Sequence, residues 1–204
     1  MSNTTVFNIL GVMLLANALD KRQGENWYSQ AYEIASDIAT DTGIALHKVV
    51  GVIAALSPNN KWDRNIQDAE AICTTFANGG DLGIIKVCTY GNNKQKAIDI
   101  LNMDGDCDGK IVDILKGQKI VSFFNCIIEC KDDVVIDGHA YSIALGQRLA
   151  MKKVPSLTKK LYESLQRDYV EAAELYNKAT NCHYTPPQVQ AITWCCWHRL
   201  HNVK

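Results

Sequence analysis

Residues 44–60 read "IALHKVVGVIAALSPNN" and pass from an apolar run into a polar turn. Apolar side chains occupy almost every position as far as Leu56, so a helix formed by this run is apolar on all sides. A helix of that kind lies inside a protein, covered by other elements. Ser57 and Pro58 end it, because the residue before a proline disfavours the helical conformation. The run predicts a central buried helix.

A helical period continues on both sides of this run. Upstream, the apolar residues of "ENWYSQAYEIASDIATDTG" fall on one stripe, and Gly43 can end that helix. Downstream, "KWDRNIQDAEAICTTFANGG", "NNKQKAIDIL" and "KIVSFFNCIIEC" repeat the same spacing. Strand signals are nearly absent, since "DVVI" at residues 133–136 is too short and isolated to build a sheet. The sequence predicts an all-α fold.

The two ends of the chain are also predicted to be helical. "VFNILGVMLLANAL" near the start is predicted to be a buried helix, and "LTKKLYESLQRDYVEAAELYNKAT" to form two helices. A last helix should begin at "YTPPQ", with Thr185 as its cap, Pro186 as its first residue and Gln188 completing a capping box. We expect the first and last helices to pack together in one domain over residues 1–204, with residues of about 45–150 as a central lobe.

Composition narrows the classes of function. The chain has 204 residues, 47% of them hydrophobic and 21% charged, which is typical of a soluble globular protein. Its net charge of −1 argues against strongly electrostatic, sequence-blind binding of nucleic acid, although it allows a local basic groove. No apolar stretch reaches the length of a membrane span. Eight cysteines without a CxxC pair favour a reduced, cytoplasmic protein with no metal and no cofactor.

One carboxylate stands at a conspicuous junction. In "VVIDGHAYSIALGQR", residues 134–148, Asp137 separates an apolar run from a helical pattern. An acid in that place is either a cap for the N–H groups that start the helix or a catalytic group. His139 is likewise either a hydrogen-bonding group at the helix start or a functional one. The local sequence leaves both alternatives open.

Two polar turns and one face of the last helix add further candidate residues. Gly117 precedes Lys119 at the start of an apolar helix, where backbone N–H groups can bind phosphate. The turn after the central helix presents polar side chains to solvent, and Lys61 and Asn65 share a helix face that we expect to point outward. The last helix carries a stripe that either stacks on a base or packs against a neighbouring lobe: Gln190, Trp194, Trp197 and His201.

The order of four motifs resembles the helix-hairpin-helix DNA glycosylase superfamily, which includes endonuclease III. These motifs are "VVGVIAALSPNN", "GNNKQKAIDIL", "LKGQKIVSFF" and "VVIDGHAYSIA". The resemblance covers roughly residues 45–150 and, loosely, the final helix. It implies a glycosylase-like helical domain that acts on a base in DNA.

The resemblance also implies roles for individual residues. Asp137 would stabilise the positive charge that builds on the sugar as the N-glycosidic bond breaks. Lys119 would either attack the sugar carbon or contact phosphate, and Asn59 would act as a wedge while the base leaves the stack. Together with the polar turns and the last helix, this gives the residues that we expect to bind DNA or the substrate: Asn59, Asn60, Lys61, Asn65, Gly117, Gln118, His139, Tyr141, Gln190 and Trp194.

Two departures from the family pattern keep other functions open. The hairpin reads Gly-Gln-Lys at residues 117–119 where the family usually has Gly-x-Gly, and the four-cysteine pattern that holds an iron–sulfur cluster is missing. "ALSPNNKWDRNI", Phe123-Phe124 and "PPQVQAITWCCWHRL" resemble a bacteriophage branch linked to hypermodified thymine. That branch implies a transferase in a bacterial host cell, using a small co-substrate to modify a 5-substituted pyrimidine in DNA. A non-catalytic phage protein that binds DNA or protein is the third alternative.

Overall fold

The computed structural model describes residues 3–105, 108–128 and 133–203. These residues form eleven α-helices and no strand, so the predicted all-α fold is confirmed. The helices are α1 Asn3–Leu15, α2 Ala18–Glu25, α3 Trp27–Thr42, α4 Leu46–Leu56, α5 Trp62–Ala77, α6 Gly91–Asn102, α7 Asp108–Leu115, α8 Gln118–Ile127, α9 Gly138–Leu145, α10 Lys159–Thr180 and α11 Pro186–His201. The end of "KIVSFFNCIIEC" lies outside the described residues.

The chain divides into two compact units. The first unit comprises Met1–Ser29 and Glu129–Lys204, and the second comprises Gln30–Ile128. The first boundary falls inside α3 and the second falls just after α8. A single domain over residues 1–204 stays a prediction.

In the second unit, α4 is the central element. All residues from Val49 to Leu56 are buried, and α5, α6, α7 and α8 pack around the helix. Gly51 permits close packing, since a Cβ atom there would lie 2.9 Å from a methyl carbon of Ile111. The prediction of a central buried helix is confirmed.

In the first unit, α11 packs against α1, α2, α9 and α10. Helix α1 buries only one face: Ile9 and Met13 are fully buried, whereas Phe7 is 62% exposed and Leu14 is 69% exposed. The prediction of a helix in this apolar stretch is confirmed, and its burial is confirmed for one face only. An apolar composition predicts burial only where enough neighbouring elements exist to cover every face of the helix.

Helix α10 is a single helix of 22 residues, so the prediction of two helices is wrong. No proline or glycine interrupts it, and its buried stripe continues at helical spacing from Tyr162 to Tyr176. The predicted start of α11 is confirmed. Thr185 and Gln188 exchange side-chain and backbone hydrogen bonds in a capping box, with Pro186 as the first helical residue.

Among the described residues, no single helix has the length and apolar character needed to cross a membrane. Helices α3 and α4 together have that length and apolar character, but the chain bends by 120° between them.

Candidate functional site

The apolar residues before Asp137 form an extended segment that pairs with no strand in the described parts of the chain. The backbone N–H of Ile136 donates to the hydroxyl oxygen of Tyr162 at 3.0 Å, and the side-chain amide of Gln166 donates to the carbonyl of Val134 at 2.9 Å. Val134 and Ile136 are buried in the core of the first unit. Side chains of α10 therefore satisfy this backbone and fix the position of Asp137.

Asp137 caps α9 with one carboxylate oxygen and leaves the other for a different partner. Oδ1 accepts hydrogen bonds from the backbone N–H groups of His139 at 2.9 Å and Ala140 at 2.7 Å. Oδ2 accepts a hydrogen bond from the indole N–H of Trp194 at 3.2 Å. Asp137 as a whole residue is half-buried. Capping thus uses only half of this carboxylate, and a structural role does not exclude a chemical one.

Two imidazole rings adjoin the Trp194 indole. The ring of His198 stacks on Trp194 with 3.6 Å between the ring centroids, and His139 lies edge-on to His198 at 4.5 Å. His139 comes from the first turn of α9, whereas Trp194 and His198 lie one turn apart on α11. We call Asp137, His139, Trp194 and His198 the Asp137 cluster.

His198 is uncharged at neutral pH. Burial, with a smaller contribution from the nearby His139, lowers the pKa of His198 to about 4, and the negative charge of Asp137 opposes this shift. Its Nε2 atom is buried and has no hydrogen-bond partner among the residues that the structure describes. A neutral imidazole with one unused nitrogen therefore stands beside the carboxylate.

The sequence predicted part of this cluster and missed His198. The structure brings together the predicted residues Asp137, His139 and Trp194. His198 follows Trp194 by four residues on the same helix, and that spacing was a signal that could have found it. A histidine four residues after a tryptophan is common in helices. The spacing therefore indicates a functional site only once α9 is known to pack on α11.

The other predicted residues of the first unit lie away from the carboxylate's hydrogen bonds. Gln190 is buried, and its side-chain oxygen accepts a hydrogen bond from the Tyr28 hydroxyl at 2.8 Å. Tyr141 is half-buried against the core. Trp197 is buried with its ring 4.1 Å from that of His201, so the second stripe of α11 is mostly packed.

In the second unit, the predicted turn after α4 is held by hydrogen bonds. Asn59 is exposed with a φ of 55°, and its amide donates to the hydroxyl of Tyr90. The amide of Asn60 donates to the carbonyl of Leu56 at 3.3 Å, and Lys61 is exposed. The turn therefore has a defined shape with Asn59 at its tip.

Asn65 is 1% exposed, so the expectation that it points outward is wrong. Its amide donates to the carbonyl of Ile53 at 3.1 Å, because this face of α5 packs on α4. Asp68, one turn further along α5, is also buried and was missed. Its carboxylate accepts hydrogen bonds from Arg64 at 2.7 Å and from the Asn60 amide at 3.1 Å.

Helices α7 and α8 form a helical hairpin. Lys116 and Gly117 join them, with φ values of 48° and 82°. A Cβ atom at Gly117 would meet no atom within 4 Å, so the space above the turn is open. Lys119 is exposed in the first turn of α8, while the side-chain oxygen of Gln118 is buried without a hydrogen-bond partner in the described parts of the chain.

Lys119 belongs to the second unit and Asp137 to the first. Their predicted cooperation stays a prediction. Within residues 3–105, 108–128 and 133–203, no three His, Cys, Asp or Glu side chains are grouped so as to hold a metal ion.

Comparison with curated proteins and with solved structures finds no match. A family model does match residues 1–201, which is nearly the whole chain. Its description is "Family of unknown function (DUF7178)". The chain belongs to this family.

Proposed function

We propose that this protein acts on a base in DNA and cleaves its N-glycosidic bond with the help of the Asp137 carboxylate. The observation that carries the proposal is the position of Oδ2. This oxygen takes no part in capping α9, belongs to a partly exposed residue and is held at 3.2 Å by the indole N–H of Trp194. The resemblance to helix-hairpin-helix DNA glycosylases supports the same role.

The chemistry needs a fixed negative charge. When the bond between C1′ and the base breaks, its electron pair leaves with the base and the sugar becomes a cation. A carboxylate held in place by N–H donors stabilises that cation without reorganising during the reaction. Water then forms a bond to C1′, and the proton that it loses is balanced by the proton that the departing base gains, which leaves an abasic site and a neutral free base.

The neighbouring rings support this chemistry in two ways. Because His198 is neutral at pH 7, it places no competing positive charge beside the sugar cation. Indole and imidazole rings next to a carboxylate also suit a base that has left the stack, since bases bind aromatic rings by stacking.

The helical hairpin of the second unit would contact the phosphate backbone. Gly117 leaves open space at the start of α8, and helix starts present N–H groups that bind phosphate. Lys116 and Lys119 are exposed on either side of this glycine and add positive charge. In the proposal, Asn59 at the tip of its turn is the wedge between bases.

A non-catalytic binding protein is the second candidate. One observation favours it: both oxygens of Asp137 already accept hydrogen bonds from N–H groups. A carboxylate that is satisfied in this way can serve packing alone.

The test is mass spectrometry of nucleosides and free bases after incubation with DNA containing modified or unmodified pyrimidines. We expect a free base and an abasic site from the wild type and from the control variant Glu171→Gln, which neutralises an exposed acid on α10. Asp137→Asn should fold and release the base about 10³-fold more slowly. Binding without any product would favour the non-catalytic candidate, and a base of increased mass that requires a small co-substrate would identify a transferase.

Borohydride trapping distinguishes the two roles of Lys119. If its amine attacks C1′, a Schiff base forms and reduction links protein and DNA covalently. Lys119→Ala should then abolish trapping, while Lys116→Ala, its exposed neighbour in the hairpin, should retain it. An active protein that gives no adduct would assign Lys119 to phosphate contact.

A further inference from the structure

A basic segment follows α9 and leads into α10. Residues 147–160 contain five basic and no acidic side chains, namely Arg148, Lys152, Lys153, Lys159 and Lys160. The remaining chain therefore carries six more acidic than basic residues. All five cations are exposed. The near-zero net charge of the whole protein conceals this local concentration of positive charge.

Four of the five positive charges in this basic segment stay unpaired within the described parts of the chain. Lys159 approaches Glu163 at 3.9 Å, and the other four cations have no carboxylate partner among the described residues. Helix α10 begins at Lys159 with Thr158 as its cap, and its first turn contains no acidic residue. The positive end of the helix dipole therefore adds to the lysine charges.

The segment is anchored beside the Asp137 cluster. A Cβ atom on Gly138 would lie 2.9 Å from the sulfur of Met151 and 3.3 Å from a methyl carbon of Val154, so both side chains pack against the start of α9. Arg148 is close enough to His201 for its charge to help lower the pKa of that histidine, after the larger effect of burial. Lys152 and Lys153 lie in the chain between Met151 and Val154.

We propose that the basic segment binds the phosphate backbone of a nucleic-acid strand next to the Asp137 cluster. This inference rests on the proposed function and adds to it a phosphate-binding surface within the first unit. Because Met151 and Val154 pack at the start of α9, the cations beside them would hold the strand on the side of the base that reacts. The surface is independent of the helical hairpin in the second unit.

An anionic bilayer is the less suitable partner. Proteins that lie on membranes commonly use an amphipathic helix with an apolar face several turns long. Before α10 begins at Lys159, the basic segment contains a three-residue 3-10 turn, Met151–Lys153, and Leu157 is packed against the protein core. A positively charged surface without a continuous apolar face suits a phosphodiester chain better than a bilayer.

The test measures binding of a labelled single-stranded oligonucleotide as a function of salt. Lys152→Gln with Lys153→Gln should weaken binding at least about fivefold at 0.1 M salt, because two phosphate contacts are lost. The log–log salt slope should become shallower by about 1.4, or roughly 0.7 per contact. The double variant Lys159→Gln with Lys160→Gln should show a similar loss of affinity and a similar change in the salt slope. The matched control is Arg22→Gln with Lys178→Gln, two exposed cations elsewhere in the first unit, which should change affinity less than about twofold for the same loss of charge.

Circular dichroism melting of each variant shows whether it is folded before binding is compared. Equal affinity of wild type and both lysine variants would overturn the inference, as would no binding by the wild type. Vesicles with phosphatidylserine provide a further arm, and binding to them with the same dependence on the lysines would assign the surface to membranes and overturn the inference. The Asp137→Asn assay measures released base, whereas this experiment measures affinity. A negative result in one of them therefore does not change the interpretation of the other.

Discussion

Asp68 in the second unit and Asp137 in the first both accept hydrogen bonds from several N–H donors, and their surroundings are opposite. Asp68 in the second unit is 2% exposed and accepts hydrogen bonds from Arg64, from Asn60 and from the backbone N–H of Cys88 at 2.7 Å. Asp137 in the first unit is partly exposed and accepts hydrogen bonds from two backbone N–H groups and one indole.

The number of hydrogen bonds therefore does not separate a structural acid from a reactive one. Asp68 has its charge balanced by a guanidinium and is closed off from solvent, so it ties the turn after α4 to α5 and to the loop before α6. Asp137 has no cationic partner among its hydrogen bonds and borders two imidazoles. Access and an unbalanced charge are the features that suit Asp137 to a substrate.

The largest effect is expected at Asp137. Asn at this position still caps a helix well, so Asp137→Asn should melt within a few degrees of the wild type. Base release should fall by about 10³-fold, because asparagine carries no charge to stabilise the sugar cation. Single-turnover release of base, measured with the melting temperature, checks this. Unchanged release would make Asp137 a structural acid like Asp68.

Asp68→Ala should lower the free energy of unfolding by about 3 kcal/mol. The loss follows because the Cys88 N–H and the Arg64 guanidinium lose their acceptor and the half-buried Asn60 amide loses one of its two. Urea unfolding measures the change, and Glu70→Ala, an exposed acid on the same helix, is the control. A loss below about 1 kcal/mol would show that water replaces these contacts and that Asp68 is not a structural tie.

Two buried glycines allow a further comparison of the units. A Cβ atom on Gly24 would lie 2.3 Å from the backbone nitrogen of Ile192, so α2 and α11 must move apart in Gly24→Ala. We expect a loss of about 2 kcal/mol in the free energy of unfolding. Gly51→Ala meets only methyl groups of Ile111 and Ile100, which can rotate, and should cost about half as much. Chemical denaturation of both variants checks the order, and equal losses would contradict it.

The smallest effect concerns pH. The pKa of His198 is about 4 in the folded protein, below the ordinary histidine value of 6.5, so the unfolded chain binds more protons between these values. His198 therefore contributes stability above pH 6.5 that is lost as the pH falls towards 4. Because the ring is only about half buried, screening reduces this contribution to about 1 kcal/mol.

His198→Gln removes this titration. The difference in melting temperature between wild type and variant should therefore change between pH 6.5 and 4 and stay constant above pH 7. His139 and Asp137 face the same ring, but both remain in the variant, so the difference isolates His198. A constant difference across the whole range would show that the ring is solvated.

The sequence by itself determined the features that depend only on residues close to one another along the chain. Apolar spacing predicted an all-α chain, the run before Ser57 predicted the buried α4, and Thr185 with Gln188 predicted the start of α11. Asp137 was recognised at a helix junction because an apolar run and a helical pattern meet there. These features are local, since helical period and capping act over three or four residues.

Tertiary structure alone decided which side chains meet. Trp194 reaches Asp137 across 57 residues of sequence because α9 packs on α11, and the same packing brings His198 against His139. The burial of Asp68 and Asn65 depends on α4 covering that face of α5, and the exposed face of α1 depends on which helices surround it. Periodicity shows that a helix has an apolar face, whereas burial and hydrogen-bond partners depend on the elements that cover it.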